Sequence, residues 1–180
     1  SGVESGLNYA VTVLAAPTSP TQLCAVANGS GTVAGANVSS IAITCTTTPF
    51  RVGGTATNVL GTGLVLGLSG ATTDGMPDAF SVPAGATQPF LFTKSVFSGG
   101  AFTVAVTTNP ANPYQTCGVT GGSGPMGAAD ISNVAVACTT NTYGVSGTVS
   151  NLLGTGLILR LTHGTASTDL PVSGGTFDFG

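Results

Sequence analysis

The chain has 180 residues, of which 42% are hydrophobic and only 5% are charged, and its formal net charge is −3. The hydrophobic content excludes a disordered chain, and the three cations of the whole sequence are too few to neutralise a phosphate backbone, so we expect no nucleic acid partner. Apolar runs such as residues 63–68 end at Gly or Ser, far short of the about 20 residues of a membrane-spanning helix, so we also expect no membrane span.

Alternating apolar residues, interrupted by turn residues, predict seven short strands in the middle of the chain. In chain order they lie near 50–59, 63–69, 79–83, 89–95, 101–108, 114–120 and 131–139. Phe102, Val104 and Val106 share one face of the fifth strand, and the breaks between strands are rich in Gly, Pro and Asn. The period of an amphipathic helix is absent from the sequence. Seven strands in this length are typical of a β-sandwich of the immunoglobulin or fibronectin-III type.

The sequence repeats itself at a spacing of 93 residues, the distance that separates Cys24 from Cys117. The segment Asn58–Leu66 returns at this spacing as Asn151–Leu159. The same shift relates further pairs: Cys45 and Cys138, Gln22 and Gln115, Pro17 and Pro110, Pro20 and Pro113, Gly54 and Gly147. The match needs no gap until about Gly70. So many coincidences at one spacing indicate a tandem repeat.

The phase of the repeat predicts three domains. If a repeat begins at the aromatic residue after the second cysteine, residues 50–142 form one complete repeat. Residues 1–49 are then the C-terminal part of a preceding repeat, and residues 143–180 are the N-terminal part of the next one. We therefore predict an all-β chain of tandem immunoglobulin-like sandwiches, with one complete domain between two complementary half-domains. No signal peptide precedes Ser1, so we expect a mature or excised piece of a precursor.

The four cysteines form two pairs with the same spacing of 21 residues, Cys24 with Cys45 and Cys117 with Cys138. Each pair falls on the last two strands of a repeat, which predicts one disulfide per repeat. A metal site would instead need C-x-x-C pairs or nearby histidines, and the sequence contains neither. Disulfides predict an oxidising, extracellular location. The absence of tryptophan separates the chain from antibody domains.

These motifs resemble the immunoglobulin-like repeats that occur in tandem in large secreted and surface proteins of Gram-negative bacteria. The resemblance rests on these segments and their counterparts 93 residues later: Pro17-x-x-Pro20-x-Gln22-x-Cys24-x-Val26, Asn28–Gly31, Ile41-x-Ile43-x-Cys45–Thr47 and Leu60–Leu66. It covers essentially the whole chain. It implies the fold, export and a spacer, fibre or adhesin role, but it carries no catalytic residue and identifies no ligand.

Candidate residues for chemistry are few. His163 is the only candidate base, and it lies between predicted strands where the repeat has Gly70, so we expect a solvated turn residue. Asp74 and Asp78 share one loop and are the best candidates for calcium ligands, but a calcium site needs about six to eight oxygens. We therefore expect no catalytic residue, no metal site and no cofactor, and hence no enzyme.

The half-domains admit two accounts of how the chain is used. The chain is a stretch of a longer tandem polypeptide, or it is a subunit whose residues 143–180 pair with residues 1–49 of the next copy. In both accounts the partners are copies of the same repeat. The short link from Cys45 to Phe50 predicts a stiff join between repeats.

The predicted function is a structural repeat unit of an extracellular bacterial fibre, filament or adhesin stalk at the cell surface, assembled head to tail by completing split β-sandwich domains. The alternative is an adhesin module that binds carbohydrate or a host surface, with cell-surface glycans as partners. Most aromatic residues lie on predicted strands, and Tyr114 is the chief exception because it lies beside Pro113, where the predicted break meets the sixth strand. This distribution favours the structural role.

Overall fold

A computed structural model describes residues 2–180 of the chain. None of these residues lies in a helix, which confirms the predicted all-β class. The strands, in chain order, are β1 Asn8–Ala10, β2 Gln22–Ala27, β3 Ser30–Thr32, β4 Ala42–Thr47, β5 Pro49–Val59, β6 Leu64–Gly70, β7 Asp78–Val82, β8 Gly85–Phe97, β9 Ala101–Thr108, β10 Gln115–Thr120, β11 Ser123–Pro125, β12 Ile131–Thr140, β13 Ser146–Val149, β14 Leu157–His163, β15 Ala166–Val172 and β16 Gly175–Asp178. Internal contacts divide the chain into two compact units, one ending at Thr140 and the other spanning Asn141–Gly180.

Two four-stranded sheets form the larger part of the first unit. One has the strand order β10-β12-β5-β8 and the other has the order β11-β9-β6-β7. Neighbouring strands run antiparallel, except that β5 and β12 run parallel. One hydrophobic core takes residues from both sheets, an arrangement compatible with a β-sandwich.

The core follows from alternation, because successive side chains of a strand point to opposite faces of its sheet. Alternate residues of β6 and β12 are buried in this way: Leu64, Leu66, Leu68, Val134, Val136 and Cys138. The phenyl rings of Phe80, Phe90 and Phe92 lie between 5.8 and 6.4 Å apart, tilted or edge to face. These rings fill the same core from β7 and β8.

All seven predicted strands are present, with small differences at their ends. An additional short strand, β11, lies within residues 121–128, where the sequence predicts a break. β11 pairs through its backbone with the edge of β9, with Gly124 opposite Phe102. Because this short strand has no alternating apolar row of its own, the sequence pattern does not reveal it.

The two terminal regions contain two-stranded sheets. Residues 2–49 form the pairs β1–β3 and β2–β4, and the second unit forms the pairs β13–β16 and β14–β15. Only Thr48 separates β4 from β5. Ser98 connects the first region to the complete repeat, because its Oγ accepts a hydrogen bond from Thr21 N at 2.9 Å and its N donates to Thr48 O at 3.0 Å.

Asp78 joins the edges of the two large sheets. It begins β7, and its carboxylate accepts hydrogen bonds from Thr93 N at 2.8 Å, Thr93 Oγ1 at 2.9 Å and Lys94 N at 2.9 Å, all on β8 of the other sheet. A fourth hydrogen bond comes from Ala79 N at 2.9 Å. Partial burial acts to raise the pKa of Asp78, but the hydrogen bonds outweigh it and hold the pKa below its ordinary value.

We predict that Asp78→Asn destabilises the first unit by roughly 2 kcal/mol near neutral pH, because hydrogen bonds to a charged acceptor are lost. Since the pKa of Asp78 is lowered in the folded state, its stabilisation is complete above the unfolded value of about 3.9 and is lost as the pH falls through the folded value. The difference in free energy of unfolding between wild type and variant should therefore shrink below about pH 4. Urea unfolding followed by circular dichroism measures both quantities.

The control is Asp74→Asn, which removes an exposed ion-pair partner of Lys94 and should change the stability less. An equal loss in the two variants would contradict the role assigned to Asp78.

Candidate functional site

Disulfides join Cys24 to Cys45 and Cys117 to Cys138, with a Cα–Cα distance of 4.0 Å in each pair. The two cysteines of a pair lie directly opposite each other on adjacent antiparallel strands, β2 with β4 and β10 with β12. Both cysteines therefore belong to one sheet, unlike the bridge between sheets in antibody domains. The two disulfides indicate a non-reducing environment.

The residues considered for chemistry are exposed or already bound by other protein groups. His163 is exposed at the end of β14. Asp74 Oδ2 lies 2.7 Å from Lys94 Nζ, and the Asp169 carboxylate accepts two hydrogen bonds from Arg160, at 2.6 and 2.7 Å. Within residues 2–180, no three His, Cys, Asp or Glu side chains gather as a metal site would require.

The two ion pairs shift the ionisation of their carboxyl groups. The hydrogen bond from Lys94 holds the pKa of Asp74 below its ordinary value, and the hydrogen bond from Arg160 does the same to the pKa of Asp169. Both carboxylates are therefore ionised at neutral pH and are poorly suited to act as general acids. Because the pairs are exposed, they also contribute little to stability.

Gln115 is a buried side chain that connects the beginning of the complete repeat to its end. Gln115 is only 2% exposed. Its Oε1 accepts hydrogen bonds from Leu60 N at 2.8 Å and Gly61 N at 2.9 Å. Its Nε2 donates to Asn58 O at 2.9 Å and to Thr140 Oγ1 at 3.4 Å. The loop after β5 is thereby fastened to β10 and to the end of β12.

Two further features complete this junction. Asn58 has a φ of 57°, and its Nδ2 donates to Cys138 O at 2.8 Å. At Gly61, a Cβ atom would collide with the carbonyl oxygen of Pro113 and would lie 2.7 Å from that of Ala111. The loop therefore approaches the segment before β10 too closely for any side chain at this position.

Sequence reasoning assigned no role to Gln115, although the repeat contains a signal for it. Gln115 and Asn58 recur 93 residues away as Gln22 and Asn151. Asn151 has the same φ of 57°, and Gln22 Nε2 donates to Thr47 Oγ1 at 3.3 Å, as Gln115 does to the equivalent threonine. Polar residues that recur at both positions of a junction could have indicated that the two positions interact.

The second unit also keeps the local geometry of the equivalent strands in residues 50–142. The rings of Phe177 and Phe179 have a centroid distance of 5.8 Å and an interplanar angle of 79°. The rings of Phe90 and Phe92 have the same distance and an angle of 78°. Phe177 lies opposite Gly147, just as Phe90 lies opposite Gly54, the glycine 93 positions before Gly147. Residues 141–180 thus reproduce the local ring geometry and the glycine–phenylalanine pairing that residues 50–142 show.

Apolar side chains that the complete repeat buries are less covered in the terminal regions. Val136 is 1% exposed, whereas its counterpart Ile43 is 59% exposed. Val104 is buried, whereas its counterpart Val11 is exposed. The counterparts of the three buried leucines of β6 are only half-buried: Leu157, Leu159 and Leu161. Each terminal region therefore presents part of a hydrophobic core at its surface.

A groove of about 410 Å³ lies on the first of these open surfaces, lined among others by Val11, Val13, Cys24 and Val26. The counterparts of these four residues belong to the core of the complete repeat or pack against it. The groove is thus lined by apolar side chains whose counterparts in residues 50–142 belong to a covered core.

No protein-family model matches the chain, and neither a curated protein nor a solved structure matches it. Among the described residues, no helix is long and apolar enough to cross a lipid bilayer. Two features can be used to infer a function: the exposed apolar surfaces of the terminal regions and the junction around Gln115.

We predict that Gln115→Ala destabilises the complete repeat by about 2–3 kcal/mol, because the substitution leaves buried backbone groups without partners. Gln22→Ala is the matched control and should cost less than about 0.5 kcal/mol in the dilute chain. Gln22 is more exposed than Gln115, and its hydrogen bond is to the side chain of Thr47 instead of to the backbone of a loop. Hydrogen exchange of peptides from β10 and β12, read by mass spectrometry, measures the difference. Equal effects of the two substitutions would contradict the role of Gln115.

Proposed function

We propose that the chain is a structural repeat unit of an extracellular bacterial fibre, filament or adhesin stalk, built from immunoglobulin-like β-sandwich domains. Its half-domains are completed by neighbouring repeats, either along a longer chain or between subunits. The observation that carries this proposal is the recurrence of the same local geometry at a spacing of 93 residues, with core residues left open in both partial repeats.

Three further observations support a structural role at the bacterial surface. The sequence motifs resemble tandem repeats of large secreted and surface proteins. The two disulfides fit an oxidising location outside the cytoplasm. Lys94 and Arg160 form ion pairs with Asp74 and Asp169, and Asp130 accepts a hydrogen bond from a backbone N, an arrangement suited to holding strands in place.

The parallel pairing of β5 and β12 suits a unit that is pulled from both ends. These are the first and last strands of the complete repeat, and they pair side by side from Val52 opposite Ile131 to Thr57 opposite Ala137. A force that pulls the start of β5 away from the end of β12 slides the strands along each other. All hydrogen bonds between them must then break together, which makes the repeat resistant to extension.

We predict that Thr57→Val weakens the complete repeat under force. Thr57 Oγ1 donates to Val136 O at 3.2 Å, across the β5–β12 pairing. Loss of one such hydrogen bond, about 1 kcal/mol, should raise the unfolding rate at a given force roughly fivefold. Single-molecule pulling with handles at both chain ends measures this rate.

The matched control is Thr107→Val. Thr107 Oγ1 donates to Val65 O at 3.1 Å across the pairing of β9 with β6, which a pull on the ends of the repeat does not shear. Its unfolding force should equal that of the wild type. If both variants weaken equally, the β5–β12 pairing does not determine the mechanical strength.

Electron microscopy of native material tests the proposed function itself. Fibres with a regular axial repeat are the expected result, and native material without any fibre, filament or stalk would contradict it. A glycan array distinguishes the adhesin alternative, which requires saturable binding of a sugar that depends on exposed aromatic residues such as Tyr114.

A further inference from the structure

We propose that residues 144–180 of one copy, here called the donor segment, dock onto residues 8–47 of a second copy, here called the acceptor region. The docked copies complete a sandwich in the register of the complete repeat. This inference rests on the proposed function, and it names the partner and the contacts of the open surfaces. The residues of the two regions that form the proposed contacts have counterparts 93 positions away in the complete repeat, where both halves are present.

Gly154 in the donor segment is the observation that points most directly to a partner. A Cβ atom at Gly154 would meet no other atom within 4 Å, and its φ is not positive, so the donor segment itself does not require glycine there. Its counterpart Gly61 must be glycine, because a Cβ atom would collide with the carbonyl oxygen of Pro113. In the docked pair, Gly154 lies against Pro20 of the acceptor region, the counterpart of Pro113.

Gln22 supplies the polar contacts of the acceptor region. In the complete repeat, Gln115 holds the loop 58–61 by three hydrogen bonds to backbone atoms. The counterpart of this loop is residues 151–154 of the donor segment. Docking lets Gln22 Oε1 accept hydrogen bonds from the N atoms of Leu153 and Gly154, and lets its Nε2 donate to the carbonyl oxygen of Asn151.

The first docked pair of strands corresponds to β5 and β12. In the complete repeat, Val136 lies opposite Ala56 in parallel register. The shift of 93 residues places Ile43 of the acceptor region opposite Val149 of the donor segment. Ile43 is 59% exposed in the single chain, and docking covers it as Val136 is covered.

A retained glycine also fits this pair of strands. At Gly54 on β5, a Cβ atom would collide with the carbonyl oxygen of Val134 on β12. The counterpart of this position in the donor segment is Gly147, and the counterpart of Val134 is Ile41. The donor strand can therefore approach the acceptor strand as closely as β5 approaches β12.

The second docked pair corresponds to the antiparallel pairing of β6 with β9. Leu66 lies opposite Val106 in the complete repeat, and the shift places Leu159 of the donor segment opposite Val13 of the acceptor region. This pairing must end before His163. The counterpart of His163 is Gly70, which has a φ of 122°, and a Cβ atom there would collide with a carbonyl oxygen of β9. The side chain of His163 therefore does not fit this pairing.

Residues 2–180 contain one donor segment and one acceptor region, so the contact between two such copies is heterologous and extends them into an open chain. A mixing experiment with the full chain tests this directly. Ile43→Asp disables the acceptor region, because it buries an unpaired charge on docking. Gly154→Val disables the donor segment, because no side chain fits there. Sedimentation velocity measures the species formed.

The wild type should form chains that lengthen with concentration, and each variant alone should remain a monomer. An equimolar mixture of the two variants should form dimers and nothing longer, because only one intact donor segment and one intact acceptor region remain per pair. Adding Gln22→Ala to the Gly154→Val copy should raise the dissociation constant of the mixed dimer roughly tenfold.

Two substitutions are matched controls. Leu23→Asp places a charge on β2, the strand beside that of Ile43. Leu23 is 71% exposed, and its counterpart Thr116 is also exposed in the complete repeat, so docking should not bury this charge. Gly127→Val fills another glycine with no atom within 4 Å of its Cβ position, inside the complete repeat. Both should assemble as the wild type does. Circular dichroism verifies that all four variants remain folded.

The outcomes separate this inference from the proposed function. If Ile43→Asp and Gly154→Val assemble as the wild type does, the docking register is wrong. If the wild type stays monomeric while native material contains fibres, neighbouring repeats join along one chain, and docking between copies is overturned while the structural function stands. If mixed dimers form but native material contains no fibre, the docking stands and the structural function fails.

Discussion

The pairing of the first strand with the last is the constraint on which the complete repeat depends. The hydrogen bonds from Thr57 to Val136 and from Asn58 to Cys138 join residues 79 and 80 positions apart. Closing so long a segment costs conformational entropy, which the contacts between the two strands must offset. The Cys117–Cys138 disulfide closes a separation of only 21 residues, so it stabilises the last two strands without bringing the first strand to them.

This closure is determined by neutral hydrogen bonds and by glycines at positions of close backbone approach, more than by ion pairs. Gly54 and Gly61 let two backbone segments approach each other, and Gln115 satisfies the polar groups that the approach buries. The ion pairs of the described residues are exposed and contribute little. Closure of the repeat therefore depends little on salt, since screening acts on charges. Two carboxylates are charged exceptions. Asp130 Oδ1 accepts a hydrogen bond from Arg51 N at 2.7 Å near the start of β5, and Asp78 accepts hydrogen bonds from backbone groups of the other sheet.

Alternation and turn residues were enough to predict the all-β class and the seven main strands, because burial on one face of a strand leaves a period of two in the sequence. The strand β11 and the role of Gln115 were not predicted. Both depend on backbone atoms as partners, and every residue type except proline offers the same backbone donor and acceptor. Sheet order was not predicted either, because the choice of β12 as the neighbour of β5 is made by tertiary contacts such as the fit at Gly54.

The partial repeats show which parts of the fold need no distant partner. The pairs β2–β4 and β14–β15 connect strands that are close in sequence, and they keep the register of their counterparts in the complete repeat. Within the described residues neither terminal region makes the long-range pairing of β5 with β12, and Ile43 is exposed where its counterpart Val136 is buried. An open sheet edge with apolar residues favours association with other strands. In the docking that we propose, Gly154 and Gln22 fit only one register, so this edge would select the complementary half of the same repeat over an unrelated strand.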